Sequence, residues 1–388
     1  MGEGITFTFA AIFLGAAALS SVALYARQPI IIAYIGLGVA LGPFGLAMVP
    51  DRALVSGAGH VGIIFLLFLL GLDMKPVALW NSLRQSTWVA LISTMVFALT
   101  GYSVSRLFGF SHGDALVIGA ALVFSSTIIG IKLLPTTVLH HRHLGEVMIA
   151  LLLFQDLLAI ILLVVIETVG SGASEWFTLL KPLALLPVFG LLAWLGVRWV
   201  LLTLITRFDR YHEYIFLLSI GWCLGMAELG LWLGLSAEIG AFIAGISIAS
   251  SPIAQYIAVS LKPLRDFFLV VFFFSVGSAL DIAALPHIWV AASIMALGFI
   301  ALKPVVYQWL LRGVSEQPKL AWNLGFRLGQ CSEFALLIAF LALSNGLLSA
   351  QAATLIQVST VITLLVSSYI VVLTLPNPIA IRDNLRRD

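Results

Sequence analysis

Four ionisable side chains lie deep within otherwise apolar runs of this sequence: Asp156, Lys303, Arg327 and Glu333. In hydrocarbon each is costly unless water, a partner or a counter-ion answers its charge, so each is a functional candidate. Asp156 stands near the middle of its run, in Leu151-Leu152-Leu153-Phe154-Gln155-Asp156-Leu157. A lone carboxylate in such a place suits the binding of a proton or a cation. The blander reading is an Asp156–Lys303 salt bridge that only locks helices together. A buried pair is weak support for stability, because desolvation offsets its attraction. The remaining acids, Glu146, Glu167, Glu228, Glu238 and Asp281, fall near the ends of apolar runs and read as interfacial.

Two apolar runs turn polar at their centres. One holds Ser125-Ser126-Thr127 and the other Gln330-Cys331-Ser332-Glu333, both beside glycines. Hydroxyls next to glycine let a helix unwind while side chains satisfy the freed backbone groups. Ser126 and Ser332 are 206 positions apart, and the starts of their runs differ by nearly the same amount. Interrupted helices in matching positions of two halves point to a transporter site built from repeats.

The elements that must position these residues are set by composition. Of 388 residues, 61% are hydrophobic and 10% charged, against about 45–50% and 25% in soluble domains. A soluble surface needs more charge than that, so soluble enzymes and nucleic-acid binders are excluded. The sequence predicts an all-α polytopic membrane protein with thirteen hydrophobic segments: 5–25, 29–48, 58–72, 86–109, 113–133, 145–169, 175–206, 212–233, 236–254, 265–281, 286–311, 320–343 and 350–375. The breaks carry turn chemistry or charge, as at Gln28-Pro29, Pro50-Asp51, Lys75-Pro76 and Gly170-Ser171-Gly172. The seventh segment is too long to stand upright and is expected to tilt or run along the surface.

With the N-terminus outside and the C-terminus cytoplasmic, Arg27, Lys75, Arg84, Lys132, Arg142, Arg207, Arg210, Lys262, Arg265, Arg312, Lys319, Arg382, Arg386 and Arg387 all fall inside, against Arg52 and Arg106 outside. That is a strong positive-inside bias. Taking 175–206 as a linker leaves two six-helix halves that insert in opposite directions, an inverted repeat with crossed discontinuous helices. Cys223 and Cys331 lie in apolar runs and form no zinc or disulfide spacing. His140, His141 and His143 read as solvated loop residues.

These residues resemble the Kef-type antiporters of the second monovalent cation:proton antiporter family. The likeness runs through Gln28-Pro29-Ile30, Gly42-Pro43-Phe44-Gly45, Phe68-Leu69-Leu70-Gly71-Leu72-Asp73, Ser125-Ser126-Thr127, Phe154-Gln155-Asp156, Gly240-Ala241-Phe242-Ile243-Ala244-Gly245, Pro263-Leu264-Arg265-Asp266-Phe267-Phe268 and Gln330-Cys331-Ser332-Glu333-Phe334. It implies a dimerising panel, about 1–80 and 212–283, and a moving core, about 84–170 and 286–376. It also implies competition between cation and proton at Asp156, with Lys303 nearby. Three features depart from the family. Gln155 precedes a single acid where electrogenic relatives carry two. The stretch 255–262 holds no acid. This sequence holds no nucleotide-binding domain after position 376, so either a short, ungated type or a truncated membrane domain is expected.

One carboxylate is neutralised by one proton or one cation, so exchange is expected to be one for one and electroneutral. The expected ion and proton ligands are Asp156, Gln155, Ser125, Ser126 and Thr127, with Lys303, Glu333 and Arg327 as supporting charges. No cofactor is expected. The expected partners are K+, H+, the bilayer of a bacterial-type inner membrane, a second copy of the chain, and a cytosolic regulatory domain or subunit. Na+/H+ exchange and a K+ channel remain open alternatives, although no filter-like stretch is present. An intramembrane enzyme lacks its motif.

Overall fold

The computed structural model of this chain describes residues 5–49, 52–73, 76–127, 130, 143–170, 176–208, 210–280, 285–314 and 316–376. Lys75, Lys132, His140, His141, Arg142, Asp281 and the arginines of the tail, all invoked above, lie outside these residues.

Every regular element among the described residues is helical. In chain order these are α1 (Ile5–Tyr25), α2 (Ile30–Leu41), α3 (Arg52–Asp73), α4 (Pro76–Leu107), α5 (His112–Ala121), α6 (His143–Gly170) and α7 (Trp176–Gly196). A π-helical turn, Val197–Leu201, then leads into α8 (Leu202–Arg207). There follow α9 (His212–Trp232), α10 (Ala237–Ala249), α11 (Ala254–Ser278), α12 (Leu285–Gly313), α13 (Pro318–Arg327), α14 (Glu333–Ser344) and α15 (Ala350–Thr374). Among the described residues seven helices are long and apolar enough to cross a membrane, and four shorter apolar helices accompany them. The chain is an integral membrane protein.

Two boundaries differ from the sequence expectation, and the seventh segment carries an unforeseen turn. α4 starts at Pro76 rather than near 86, because proline at the first helical position forfeits no hydrogen bond. α11 runs straight through Lys262-Pro263, which the sequence reading treated as a connection. The long seventh segment does not break: it absorbs one extra residue in the π turn and continues.

The chain divides into two compact units. One comprises Met1–Pro50, Asn81–Leu163 and Val276–Asp388, the other Asp51–Trp80 and Val164–Ser275. Within the second unit α3 and α10 meet backbone to backbone. A Cβ on Gly245 would stand 2.0 Å from the Phe68 carbonyl oxygen, and one on Gly71 would stand 2.4 Å from that of Phe242. Only glycine allows that approach. Phe65, Phe68, Leu69 and Leu72 of α3 pack there with Ile239, Ala241, Ala244 and Ile248 of α10.

The first unit holds Asp156, Lys303, Arg327 and Glu333, the four charges singled out by the sequence. α4 and α5 touch through Gly101 and Gly119, and α13 presses Gly325 onto the Pro304 backbone of α12. Two polar ties join helix ends in this unit. The Asp114 carboxylate, in the first turn of α5, accepts from the Ser349 N–H at 2.8 Å and the Ser349 hydroxyl at 3.0 Å, just before α15. The His143 ring, at the start of α6, meets Glu316 at 2.7 Å just before α13, with Glu146 at 3.5 Å from its other nitrogen.

Candidate transport site

The site begins with two helices that stop short. α5 and α13 are each ten residues long, and they start 206 positions apart, at His112 and Pro318. After α5 the chain is non-helical over 124–126. After α13 it is non-helical through Ser332, whose hydroxyl caps α14. Ser, Thr and Gln side chains compete for backbone groups and so favour such interruptions over a continuous helix.

The two breaks meet. The Ser125 hydroxyl donates to the Leu328 carbonyl at 2.8 Å, and the Gln330 amide donates to the Ser126 carbonyl at 3.4 Å. Lys303, from α12, reaches both breaks at once. Its ammonium donates to the carbonyls of Phe124 and Gln330, each at 3.0 Å, and to the Ser125 hydroxyl at 3.4 Å. The rings of Phe97 and Phe299 lie 5.5 and 5.7 Å from the same nitrogen. Freed carbonyls carry the negative ends of interrupted helices, and a buried cation answers them.

Lys303 therefore does not pair with Asp156. The salt bridge weighed from the sequence is not formed, because the carbonyls of both breaks take the ammonium. Among the described residues no cationic side chain forms a salt bridge with Asp156. Asp156 is buried, at 1% exposure. The Thr127 hydroxyl faces its two oxygens at 3.4 and 3.3 Å, and Glu333, the first residue of α14, lies within electrostatic range.

Gln155 bonds at both ends of its amide. Its carbonyl oxygen accepts from the Ser125 N–H at 3.0 Å, and its amide nitrogen donates to the Tyr307 hydroxyl at 2.7 Å. Tyr307 lies one turn beyond Lys303 on α12, is wholly buried, and sets its ring edge-on to Phe97. Sequence reasoning missed it; its position four residues after Lys303, on one helix face, was the available signal. Thr363 and Ser367 of α15 were also not assigned to the site. The Thr363 hydroxyl accepts from the Cys331 N–H at 3.0 Å, and the Ser367 hydroxyl donates to the Gln330 side-chain oxygen at 3.1 Å. Arg327 turns aside, donating to the Asn323 side chain at 2.7 Å and the Pro376 carbonyl at 2.5 Å. Ser126 is buried beside the same crossing. Among the described residues no cluster of three His, Cys, Asp or Glu side chains could hold a metal ion.

A buried carboxylate beside two interrupted helices that meet is the arrangement of a secondary transporter. The chain belongs to the family described as sodium/hydrogen exchanger, transmembrane, whose profile matches residues 9–375. It is a cation:proton antiporter, not an enzyme, and the transported ions are its substrates rather than cofactors. A relative, the iron transporter MagA of Paramagnetospirillum magneticum, is 28% identical over 352 residues, covering 88% of this chain and 79% of its own. Among solved structures, the sodium proton antiporter MjNhaP1 from Methanocaldococcus jannaschii shares the fold. Its TM-score is 0.72 at 19% identity, covering 94% of this chain and 95% of that one.

Proposed function

We propose that this antiporter exchanges K+ for H+ one for one, with Asp156 as the single carboxylate for which both compete. The observation that carries the reading is a buried Asp156 with no described cationic partner. Its charge is buried, a hydroxyl faces it, and no described cationic side chain pairs with it. A bare carboxylate is costly in that setting, so a mobile species must neutralise it. A proton does this by forming a covalent O–H bond. A cation does it by coordination to Asp156, the Thr127 hydroxyl and backbone oxygens of the break. The two exclude each other, and crossing only in the neutralised state makes exchange obligatory.

Lys303 is bound to carbonyls rather than to the working acid; with Lys303 charged throughout, the count is one for one, and a Lys303 that gives up its proton during the cycle would change that count. The one-for-one exchange moves no net charge and takes no work from the membrane potential, unlike a step worth about 2.3 kcal/mol per charge per 100 mV. The preference for K+ rests on the Kef-type resemblance and on the neutral Gln155 beside the acid. We further propose thirteen spans in two inverted repeats, the N-terminus outside and the C-terminus inside a bacterial-type inner membrane. The core, about 84–170 and 286–376, moves elevator-like against a dimerising panel, and a cytosolic regulatory domain or subunit acts on it.

The second reading is Na+/H+ exchange, favoured by the family description and by the sodium substrate of MjNhaP1. Iron transport, the role in the name of the relative MagA, finds no donor cluster among the described residues. The deciding experiment is fluorescence dequenching in proteoliposomes with K+, Na+, Rb+ and Li+, with and without a voltage clamp. The expected result is K+-driven proton movement that ignores voltage and vanishes in Asp156→Asn. Exchange retained by Asp156→Asn removes this carboxylate from the mechanism. Voltage-dependent currents rule out the one-for-one count.

A further inference from the structure

The Phe124 carbonyl and the Ser125 N–H are the two ends of one peptide unit. Lys303 holds the oxygen at 3.0 Å, and Gln155 holds the N–H at 3.0 Å. This peptide is therefore gripped from both sides. It lies two residues before Thr127, the hydroxyl that faces Asp156. The grip on the N–H side depends on how the Gln155 amide is turned. A backbone N–H only donates, so the end facing Ser125 is the carbonyl oxygen and the opposite end is the NH2 group. That NH2 group donates to Tyr307. Lys303 and Tyr307 are one turn apart on α12, so one helix face secures both ends of the peptide.

From this geometry we infer that Tyr307 is a specificity-determining positioning residue. By holding the Gln155 amide, it fixes the Phe124–Ser125 peptide and so the width of the cation site between the break and Asp156. The inference rests on the Asp156 reading above. A cation is sized by oxygens that keep their spacing, and a frame that relaxes adapts to any radius. With the Tyr307 hydroxyl gone, the amide loses its second anchor and is free to rotate off the Ser125 N–H. The break then gains slack at the point where it turns toward Asp156. Tyr307 touches neither ion nor proton, so its effect falls on recognition rather than on the exchange step.

The test is Tyr307→Phe, which removes one oxygen and keeps the ring against Phe97. In proteoliposomes the half-saturating concentration of the preferred cation should rise about fivefold, the scale of one neutral hydrogen bond. The ratio of its affinity to that of the next alkali cation should fall by a similar factor, while the maximal rate changes less than about twofold. Gln155→Met breaks the same link and should reproduce the loss of selectivity, with no further loss in the double variant. Ser359→Ala removes a buried hydroxyl that bonds the Ala292 carbonyl, outside this network, and should leave selectivity unchanged. Unaltered selectivity in Tyr307→Phe, or an equal shift in Ser359→Ala, overturns the inference. Asp156→Asn run alongside separates the two claims: if it still exchanges, the site reading fails. If it is dead while Tyr307→Phe keeps its selectivity, only the clamp fails.

Discussion

The two helix breaks have the same offset and first halves of the same length, yet they use their polar groups differently. The first sends the Thr127 hydroxyl out to Asp156. In the second, the Cys331 N–H and the Gln330 side chain are taken up by Thr363 and Ser367 of α15. A buried polar group left without a partner costs about 1–3 kcal/mol, so an interrupted helix survives only where its neighbours answer it. The difference teaches that one geometry serves two duties. Under the proposed exchange at Asp156, the first break works on the ion and the second holds the first in place.

Lys303 belongs to both breaks, so its loss should give the largest effect beyond that of Asp156. Lys303→Met leaves the Phe124 and Gln330 carbonyls without their cation. Exchange should fall by more than about tenfold, and stability by about 3 kcal/mol, read as a lowered melting midpoint in detergent. If Lys303→Met melts and transports normally, the shared frame is wrong. The next effect separates the breaks. Thr127→Val should raise the half-saturating cation concentration about tenfold while costing less than about 1 kcal/mol of stability. Ser332→Ala should do the reverse, costing about 1 kcal/mol through the lost cap of α14 with affinity unchanged. Equal affinity losses in the two variants would erase the distinction. Ser367→Ala should cost about 1 kcal/mol by freeing the Gln330 side-chain oxygen, and selectivity should hold.

The smallest effect lies at the rim. The protonated His143 ring donates to both Glu316 and Glu146, whereas the neutral ring donates to only one. This tie is therefore strongest below about pH 6.5 and loosens above it. Both His143 and its partners are at least partly exposed, so the pairing is worth well under 1 kcal/mol. His143→Gln should change exchange rates by less than about twofold and flatten their dependence between pH 6 and 8. A larger change would make this tie a regulator rather than a brace.

Much of the fold was legible because a bilayer imposes its own length on apolar runs. The 206-residue offset read from Ser126 and Ser332 is also the offset between the starts of α5 and α13. Asp156 stood out for a simple reason: a charge in an apolar helix needs an explanation. What the sequence hid were the partners. Charge sign alone suggested pairing Lys303 with Asp156. The competing acceptors are main-chain carbonyls, which carry no letter in a sequence and exist only because two helices stop. The partners of Gln155 were also hidden, since its amide bonds a backbone N–H and a tyrosine 152 positions away. The π turn was equally invisible, as an extra residue in a helix leaves the apolar pattern intact.

The ties at Asp114–Ser349 and His143–Glu316 sit at the starts of four different helices, α5, α15, α6 and α13. Each joins the first half of one interrupted helix to the long helix that accompanies the other. The two interrupted helices are thus laced crosswise, each to the long helix beside the other. If the core moves as one body, as proposed, a disulfide engineered in place of either tie should leave turnover intact.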